Sequence, residues 1–585
     1  MAALMTQFHV SPSGDDSAPG TEEHPFATLP RAQRAARESV GAVLVHLRAG
    51  THVLTEPWEL TAEDSGRDGA RVIYQAYGYG TDAAEQVVIS GGTEITGWRE
   101  HEGRWVAEVG ALDTRQLSVD GQRAERAGID GLPDGTTRTE TGYRTTSLAP
   151  QQWQAPASVE FVYRGIYPWT EARCGVAAVT HTGEHTEITM AQPAFDQAKA
   201  LYNYEFEYQR LTGPALPTRV ENDPSFLTTP GTFALTRSHP DHHVLHYLPR
   251  SGEHPSHTRV VAPALETLLR VTAARDISFR GLIFADATWL RPNRSQGFLH
   301  YHGSGYYEGG DIYTEVLIEG RQWLTVPTET ATIPACLTLE HTAGITFEGC
   351  RFTRLGGTAL GATAGVGLTV RGCDFDTLAA SAITLTGDRD AVLEDNLIQH
   401  IGLDYAGSPG ISLLGTAGCT VAHNQVTDVP HCGIVAGPGT GTVLSNNHTD
   451  RTMGVLADGG GLYIAGPQGD SFDNGALVRG NVIDNTRTPY NFGLYTDYGA
   501  AWVQVQDNVV GQADNSAVLH VGPPLDHVVF RGNYWNSDPV GSDAVPAGVT
   551  YENNTTLTDT DELEAASSAI RARAGLLRTQ EPAIG

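Results

Sequence analysis

Ile345-Thr-Phe-Glu-Gly-Cys350, Leu368-Thr-Val-Arg-Gly-Cys373, Val392-Leu-Glu-Asp-Asn396, Val421-Ala-His-Asn424 and Val443-Leu-Ser-Asn-Asn447 repeat one phrase, a short alternating apolar run that ends on Cys or Asn. The closing residues form a column: Cys350, Cys373, Asn396, Asn424, Asn447, Asn481, Asn508 and Asn533, at steps of 23, 23, 28, 23, 34, 27 and 25 residues. Recurrence in this range means one supersecondary unit stacked on copies of itself. The repeated Asn tells which unit. Asn tolerates a left-handed backbone at a tight corner, and its amide can bond to the Asn one coil above and below. The column therefore predicts an all-β fold, a right-handed parallel β-helix.

The period organises the rest of the chain. Val43-Leu-Val-His-Leu, Val72-Ile-Tyr-Gln-Ala and Val87-Val-Ile-Ser-Gly-Gly read as first coils. Before them, Thr28 as N-cap and Pro30 in the first turn predict a short amphipathic helix that covers the open end. From about Thr93 the period is lost, and it returns at Leu268-Leu-Arg-Val-Thr and Ile277-Ser-Phe-Arg-Gly-Leu-Ile-Phe. The intervening stretch carries Trp98, Trp105, Trp153 and Trp169 and reads as an inserted small β domain. The predicted division is 1–92 for the cap and first coils, 93–262 for the insert, and 263–585 for the main β-helix. A second capping helix, Glu562 to Leu577, is expected to seal the C-terminal coil.

Composition narrows the partners. Lys plus Arg total 38 against 68 Asp plus Glu, a formal net charge of −30, and Lys199 is the single lysine. Such a surface repels nucleic acid and polyanionic polysaccharide and favours a neutral ligand. The six cysteines include no CxxC, so neither a disulfide framework nor a cysteine metal site is expected, and no cofactor is implied. No segment has the length and apolarity of a membrane span. Met1-Ala-Ala-Leu-Met-Thr-Gln shows no basic stretch followed by an apolar run, so the expected location is cytoplasmic, or secreted if a signal has been removed.

Used as a ruler, the column locates the irregular coils. A corner residue is normally followed eight or nine positions later by the next strand, as from Asn424 to Gly433. Asn396 to Gly410 and Asn447 to Gly461 take 14, and Asn481 to Gly493 takes 12. All three lengthen the same connection, so their loops rise on one face, where repeat proteins place binding sites. These coils carry His400, Asp404 and Tyr405; Asp458-Gly-Gly-Gly-Leu-Tyr463; and Asn491-Phe-Gly-Leu-Tyr495-Thr-Asp497-Tyr498. Aligning Gly461-Leu-Tyr on Gly493-Leu-Tyr stacks Tyr463 on Tyr495 and brings Asp458 and Asp497 onto neighbouring coils. Rungs about 4.8 Å apart would set two carboxylates at the roughly 5–9 Å a glycosidase uses. One carboxyl must be protonated to assist the leaving oxygen, and the other must stay ionised. Asp404, Tyr405, Tyr463, Tyr495, His400, His431 and Trp289 are the expected substrate-binding residues. Gly459-Gly-Gly461 precedes no helix and marks close backbone approach rather than a phosphate loop.

Several of these stretches resemble glycoside hydrolase family 141. They are the opening Val10-Ser-Pro-Ser-Gly-Asp-Asp-Ser-Ala-Pro-Gly-Thr21 with Pro25-Phe-Ala-Thr-Leu29, Gln116-Leu-Ser-Val-Asp-Gly-Gln-Arg-Ala-Glu-Arg-Ala127, Asp458-Gly-Gly-Gly-Leu-Tyr463, Gly493-Leu-Tyr-Thr-Asp497 and Ala574-Gly-Leu576. The resemblance implies that Asp458 and Asp497 are the catalytic carboxylates. Two departures, a third Gly after Asp458 and Asp-Tyr-Gly at 497–499 where a second acidic residue is common, leave open a choice among substrates that in the family include fucosides and xylan. The expected activity is hydrolysis of a neutral oligo- or polysaccharide. Two alternatives stay open: a polysaccharide lyase on the same scaffold, which the single lysine and acidic surface disfavour, and a non-catalytic carbohydrate-binding β-helix.

Overall fold

The computed structural model describes residues 5–577 apart from 68, 207, 208 and 238. The chain divides into two compact units, one formed by 1–91, 267–285 and 334–585, the other by 92–266 and 286–333.

The first unit is a parallel β-helix with three sheet faces. The first face stacks Ala335–Glu340, Thr358–Thr363, Ile383–Thr386, Ile411–Leu414, Ile434–Ala436, Gly460–Pro467 and the start of Phe492–Gln506. The second runs from Thr6–Val10 through Thr369–Arg371 and Val443–Ser445 to Val549–Glu552. The third runs from Gly50–Val53 through Asp374–Leu378 and His448–Asp450 to Thr555–Thr556. Inward residues repeat in register. In the earlier coils the interior is filled by stacked rings, Phe279 on Phe347 at 4.9 Å and Phe352 on Phe375 at 4.4 Å.

Asparagine takes over at the corner between the second and third faces. The Nδ2 of Asn396, Asn424, Asn447, Asn481, Asn508 and Asn533 each donates to the Oδ1 of the next ladder Asn at 2.8–3.0 Å, ending on Asn554. The same Oδ1 accepts the backbone N–H of the ladder residue above, and the second Nδ2 hydrogen goes to a strand carbonyl, as from Asn447 to Val421 at 2.9 Å. Every amide valence in the column is thus used, so side chains with no solvent exposure bear no desolvation debt. One detail differs from the sequence reading. The left-handed residue is not the ladder Asn but the one before it: Asp395 at φ 58°, His423 at 55°, Asn446 at 53° and Asp507 at 54°. The corner turns first, and the amide then points inward.

The helix Leu29–Glu38 starts on Thr28, whose side chain accepts from the Arg31 N–H, and buries Leu29, Ala32, Ala35 and Ala36 against the first strands. The C-terminal helix, Thr560–Arg571, does not close the last coil as the sequence suggested. It lies along the outside of the third face, where Leu563 and Ile570 pack on Val482 and Val509 and Arg571 pairs with Asp484 at 2.8 Å. The apolar side chains of Val482 and Val509 point outward there, and the helix's own apolar stripe covers them. All six cysteines are buried thiols outside any disulfide.

The second unit is antiparallel except where Gln122–Arg126 runs parallel to Thr232–Arg237. One sheet contains Arg104–Gly110, Leu117–Val119, Gln122–Arg126, Thr232–Arg237 and His243–Leu248, and another contains Glu160–Arg164, Glu171–His181 and Thr186–Met190. This unit also takes 286–333, which the sequence reading gave to the main β-helix. The reason is strand pairing: Ala172 lies opposite Leu299, and the hairpin Ile312–Ile318/Gln322–Pro327 pairs with Asn203–Phe206. Its interior holds an ion-pair network in which Glu160 bonds Arg115 (2.9 Å) and Arg173 (2.8 Å), and Arg173 also reaches Glu221 (3.0 Å).

Candidate active site

Phe492 ends a loop and starts the strand that pairs with Gly460–Pro467 in parallel register, Tyr463 opposite Tyr495 and Ala465 opposite Asp497. Leu462, Ile464, Leu494 and Thr496 point into the β-helix and are fully buried, so alternation turns Tyr463, Tyr495 and Asp497 outward. Asp458 precedes the first of these strands, at φ 56°. Three consecutive glycines follow it because nothing larger fits. A Cβ on Gly459 would stand 2.7 Å from Cys432 Sγ, on Gly460 2.6 Å from the Phe492 carbonyl, and on Gly461 2.5 Å from Ile483.

The hydrogen bonds cross between coils. Tyr463 Oη donates to Asp497 Oδ2 at 2.8 Å, and Tyr495 Oη donates to Asp458 Oδ1 at 3.1 Å. The two rings meet edge to face, centroids 5.2 Å apart, and Phe492 packs on Tyr495 at 4.2 Å. Both carboxyls are partly exposed. Among the described residues neither has an ion-pair partner. Burial and the neighbouring charge of Asp497 push Asp458 up to about 7, against the single phenol of Tyr495. Burial also raises Asp497, but the Tyr463 hydroxyl and the Tyr498 backbone N–H oppose it. Burial and the two carboxylates push Tyr463 and Tyr495 well above the ordinary phenol range, which keeps them donors. The arrangement holds one carboxyl that retains its proton near neutrality beside one better solvated by donors.

The other residues singled out from the sequence fall in different places. Tyr463 and Tyr495 are 6% and 7% exposed and serve the carboxylates rather than offering ring faces. His431 is buried, with Nε2 3.1 Å from the Ala457 carbonyl, so it braces the segment that presents Asp458. Asp404 and Tyr405 are buried in the loop two coils earlier, and the Asp404 N–H donates to the Ala379 carbonyl. His400 ends a strand of the third face, not the first, and its Nδ1 is 2.9 Å from Asp376. Trp289 belongs to the second unit, 3% exposed and packed on Phe298 and Tyr306 at 5.7 and 5.4 Å; its ring is covered by protein, which removes the sugar platform expected of it.

Two tyrosines to which the sequence reading gave no role stand near the pair. Tyr490 and Tyr498 are exposed, and with Trp502 they are the aromatic side chains other than histidine at positive φ among the described residues, at 59°, 43° and 60°. Bulky residues rarely hold that conformation without a functional reason. The spacing also hid a second lengthened corner. The 34-residue step owes part of its excess to 468–475, between the first and second faces, where Asn474 Oδ1 gathers the N–H groups of Asp470 and Ser471. No group of three or more His, Cys, Asp or Glu suited to a metal occurs among the described residues.

Comparison with known proteins bears on the scaffold. The family model described as right handed beta helix region matches residues 332–464 and 364–534. No curated protein matches the chain. A solved structure described as a glycoside hydrolase is 23% identical and superposes with a TM-score of 0.75 over 98% of this chain and 99% of its own. The structure of XylC in complex with xylose is 12% identical, with a TM-score of 0.52 over 95% of this chain and 86% of its own. These likenesses establish the right-handed parallel β-helix as the fold.

Proposed function

We propose that the protein is a glycoside hydrolase that cleaves a neutral oligo- or polysaccharide, with Asp458 as the acid and Asp497 as the base or nucleophile. The observation that carries this reading is the unequal sharing of donors between the two carboxyls. Asp497 is met by the Tyr463 phenol and the Tyr498 backbone N–H, Asp458 by the Tyr495 phenol alone. Hydrogen bonds to a carboxylate favour its charged form, so Asp497 ionises first and its charge helps hold the proton on Asp458.

In the reaction, Asp458 gives its proton to the glycosidic oxygen as the bond from the anomeric carbon breaks and its electron pair leaves with that oxygen. Asp497 supplies the opposing negative charge, by direct attack or by taking a proton from the attacking water, and water's hydroxyl ends on the anomeric carbon. Neutral substrates suit a site whose carboxylates have no ion-pair partner among the described residues and a chain with net charge −30. The likeness to a structure described as a glycoside hydrolase and to a xylose complex supports the same reading.

The test is a panel of nitrophenyl glycosides and neutral oligosaccharides. Hydrolysis of at least one member is expected, with Asp458→Asn and Asp497→Asn each lowering turnover about a thousandfold or more. No turnover on any member, or an unsaturated product from an acidic glycan, would reject it.

A further inference from the structure

Tyr490 stands apart from the other tyrosines of the site. It is 55% exposed, whereas Tyr463 and Tyr495 are 6% and 7% exposed. An unbroken run of rings links them: Tyr490 meets Phe492 at 5.8 Å, Phe492 meets Tyr495 at 4.2 Å, and Tyr495 meets Tyr463 at 5.2 Å. The Tyr490 carbonyl accepts the Asp458 backbone N–H at 2.9 Å, so its position and that of the acid are fixed together.

The left-handed backbone of Tyr490 is held from the next coil. Asp514 Oδ2 accepts its N–H at 2.8 Å. Asn491, 1% exposed, locks both segments: its Oδ1 accepts from Thr486 Oγ1 at 2.5 Å and from the Asp514 N–H at 3.3 Å. A left-handed conformation that is unfavourable for a bulky side chain is thus enforced by two coils. What this enforcement achieves is to hold a large ring out in solvent beside two carboxyls. The charge of Asp458, partial burial and the charge of Asp497 push its phenol up to about 12, yet among the described residues nothing hydrogen-bonds to that phenol. The other two phenols are consumed by the carboxylates; this one is a donor with no protein acceptor among the described residues.

We infer that Tyr490 is a substrate-contacting residue of this site, its ring forming one wall against a neutral sugar seated over Asp458 and Asp497 and its hydroxyl donating to that sugar, with Asp514 as its positioning residue. An aromatic face with a polar tip suits a sugar, whose C–H faces are apolar and whose rim is hydroxylated. The inference rests on the hydrolase reading above.

The experiment compares wild type with Tyr490→Phe, Tyr490→Ala and Asp514→Ala on the glycoside the wild type cleaves, and measures binding of the matching oligosaccharide by calorimetry in an Asp497→Asn background. Tyr490→Phe is expected to lose about tenfold in kcat/KM, the value of one hydrogen bond. Tyr490→Ala is expected to lose about a hundredfold, mostly in KM, with binding weakened in parallel. Asp514→Ala should raise KM severalfold and leave kcat within about twofold, a split that general loss of structure does not produce. Thermal unfolding should barely move for Tyr490→Ala, since the side chain is exposed. Kinetics and binding of Tyr490→Ala within twofold of the parent would overturn the inference while leaving the hydrolase reading intact. Absence of any wild-type turnover would instead overturn that reading.

Discussion

Tyr463 donates to Asp497 across one rung of the β-helix, 2.8 Å from Oη to Oδ2, while its register partner Tyr495 returns a bond of 3.1 Å to Asp458. Neither tyrosine serves the acid of its own coil. The two coils are therefore locked at the point where their carboxyls must act together, and a slip of either strand by one residue would turn its own tyrosine inward.

This crossing predicts distinguishable effects for two conservative changes. Tyr463→Phe removes a donor from Asp497, so its carboxyl becomes harder to ionise and the acidic limb of the kcat/KM profile should move up by about one pH unit. Tyr495→Phe chiefly strips Asp458, so the alkaline limb should move up instead. A pH profile of each variant on the same glycoside reads the difference, and identical shifts in both would contradict the crossed arrangement.

The wild-type profile follows from Asp458 itself. With its carboxyl raised to about 7 by burial and by Asp497, the acid is protonated below that pH and lost above it. Activity should fall tenfold per pH unit on the alkaline side of about 7. A plateau extending to pH 9 would exclude Asp458 as the acid.

The same displacement has a cost in stability. A carboxyl whose folded value is raised binds a proton in the folded state that the unfolded chain has already released between about pH 4 and 7. Stability from this group is present below pH 4 and is lost as pH rises through about 7. Asp458→Asn removes the liability, so its advantage over wild type should be near zero at pH 4 and reach at least about 1 kcal/mol at pH 8, since each unit of displacement is worth about 1.4 kcal/mol before solvent screening. Denaturant titrations of both proteins at the two pH values measure it. An Asn variant less stable than wild type at pH 8 would contradict this account.

What could be read from the chain alone divides along physical lines. The Asn column was legible because each coil repeats the same bond, from Asn396 through Asn533 to Asn554, and identical chemistry at a fixed period leaves a periodic sequence. Gly461-Leu-Tyr463 and Gly493-Leu-Tyr495 could be aligned for the same reason, since parallel register pairs like with like. Trp289 and the whole of 286–333 were misread because antiparallel pairing of Leu299 with Ala172 joins residues more than a hundred positions apart without local signal. Tyr490 was overlooked because its exposure is imposed by Asp514 of the next coil, not by its neighbours in sequence. The C-terminal helix was placed wrongly for a related reason. Amphipathicity shows that a face must be covered, but not which apolar surface covers it.

The ladder's closed bonding predicts a gradient along its length. Asn481→Ala removes the acceptor for both the backbone and side-chain N–H of Asn447 and the donor to Asn508, leaving buried groups unpaired. The cost should be about 3 kcal/mol or more. Asn554→Ala, at the part-exposed end, lets water replace the lost partner of Asn533 and should cost about 1 kcal/mol. Equal losses at the two positions in urea unfolding would show that the column does not act as a buried chain.

The second unit offers the sharpest contrast, because its polar core is ionic rather than amide. Burial alone would raise the Glu160 carboxyl, but the surrounding charges of Arg115, Arg126 and Arg173 override it and hold the group well below the usual carboxylate range. Stability from Glu160 is therefore present above about pH 4 and is lost as pH falls below it. Glu160→Ala would remove the carboxylate that Arg115 and Arg173, 0% and 1% exposed, share, at a cost of about 3–5 kcal/mol. Glu160→Gln keeps an acceptor for one arginine while removing the charge, so it should fall between wild type and Ala. Because 92–266 and 286–333 bury a core of their own, calorimetry of Glu160→Ala should show an early transition that wild type lacks, while the later transition of the β-helix stays in place. A single transition displaced as a whole would mean that the two units unfold together.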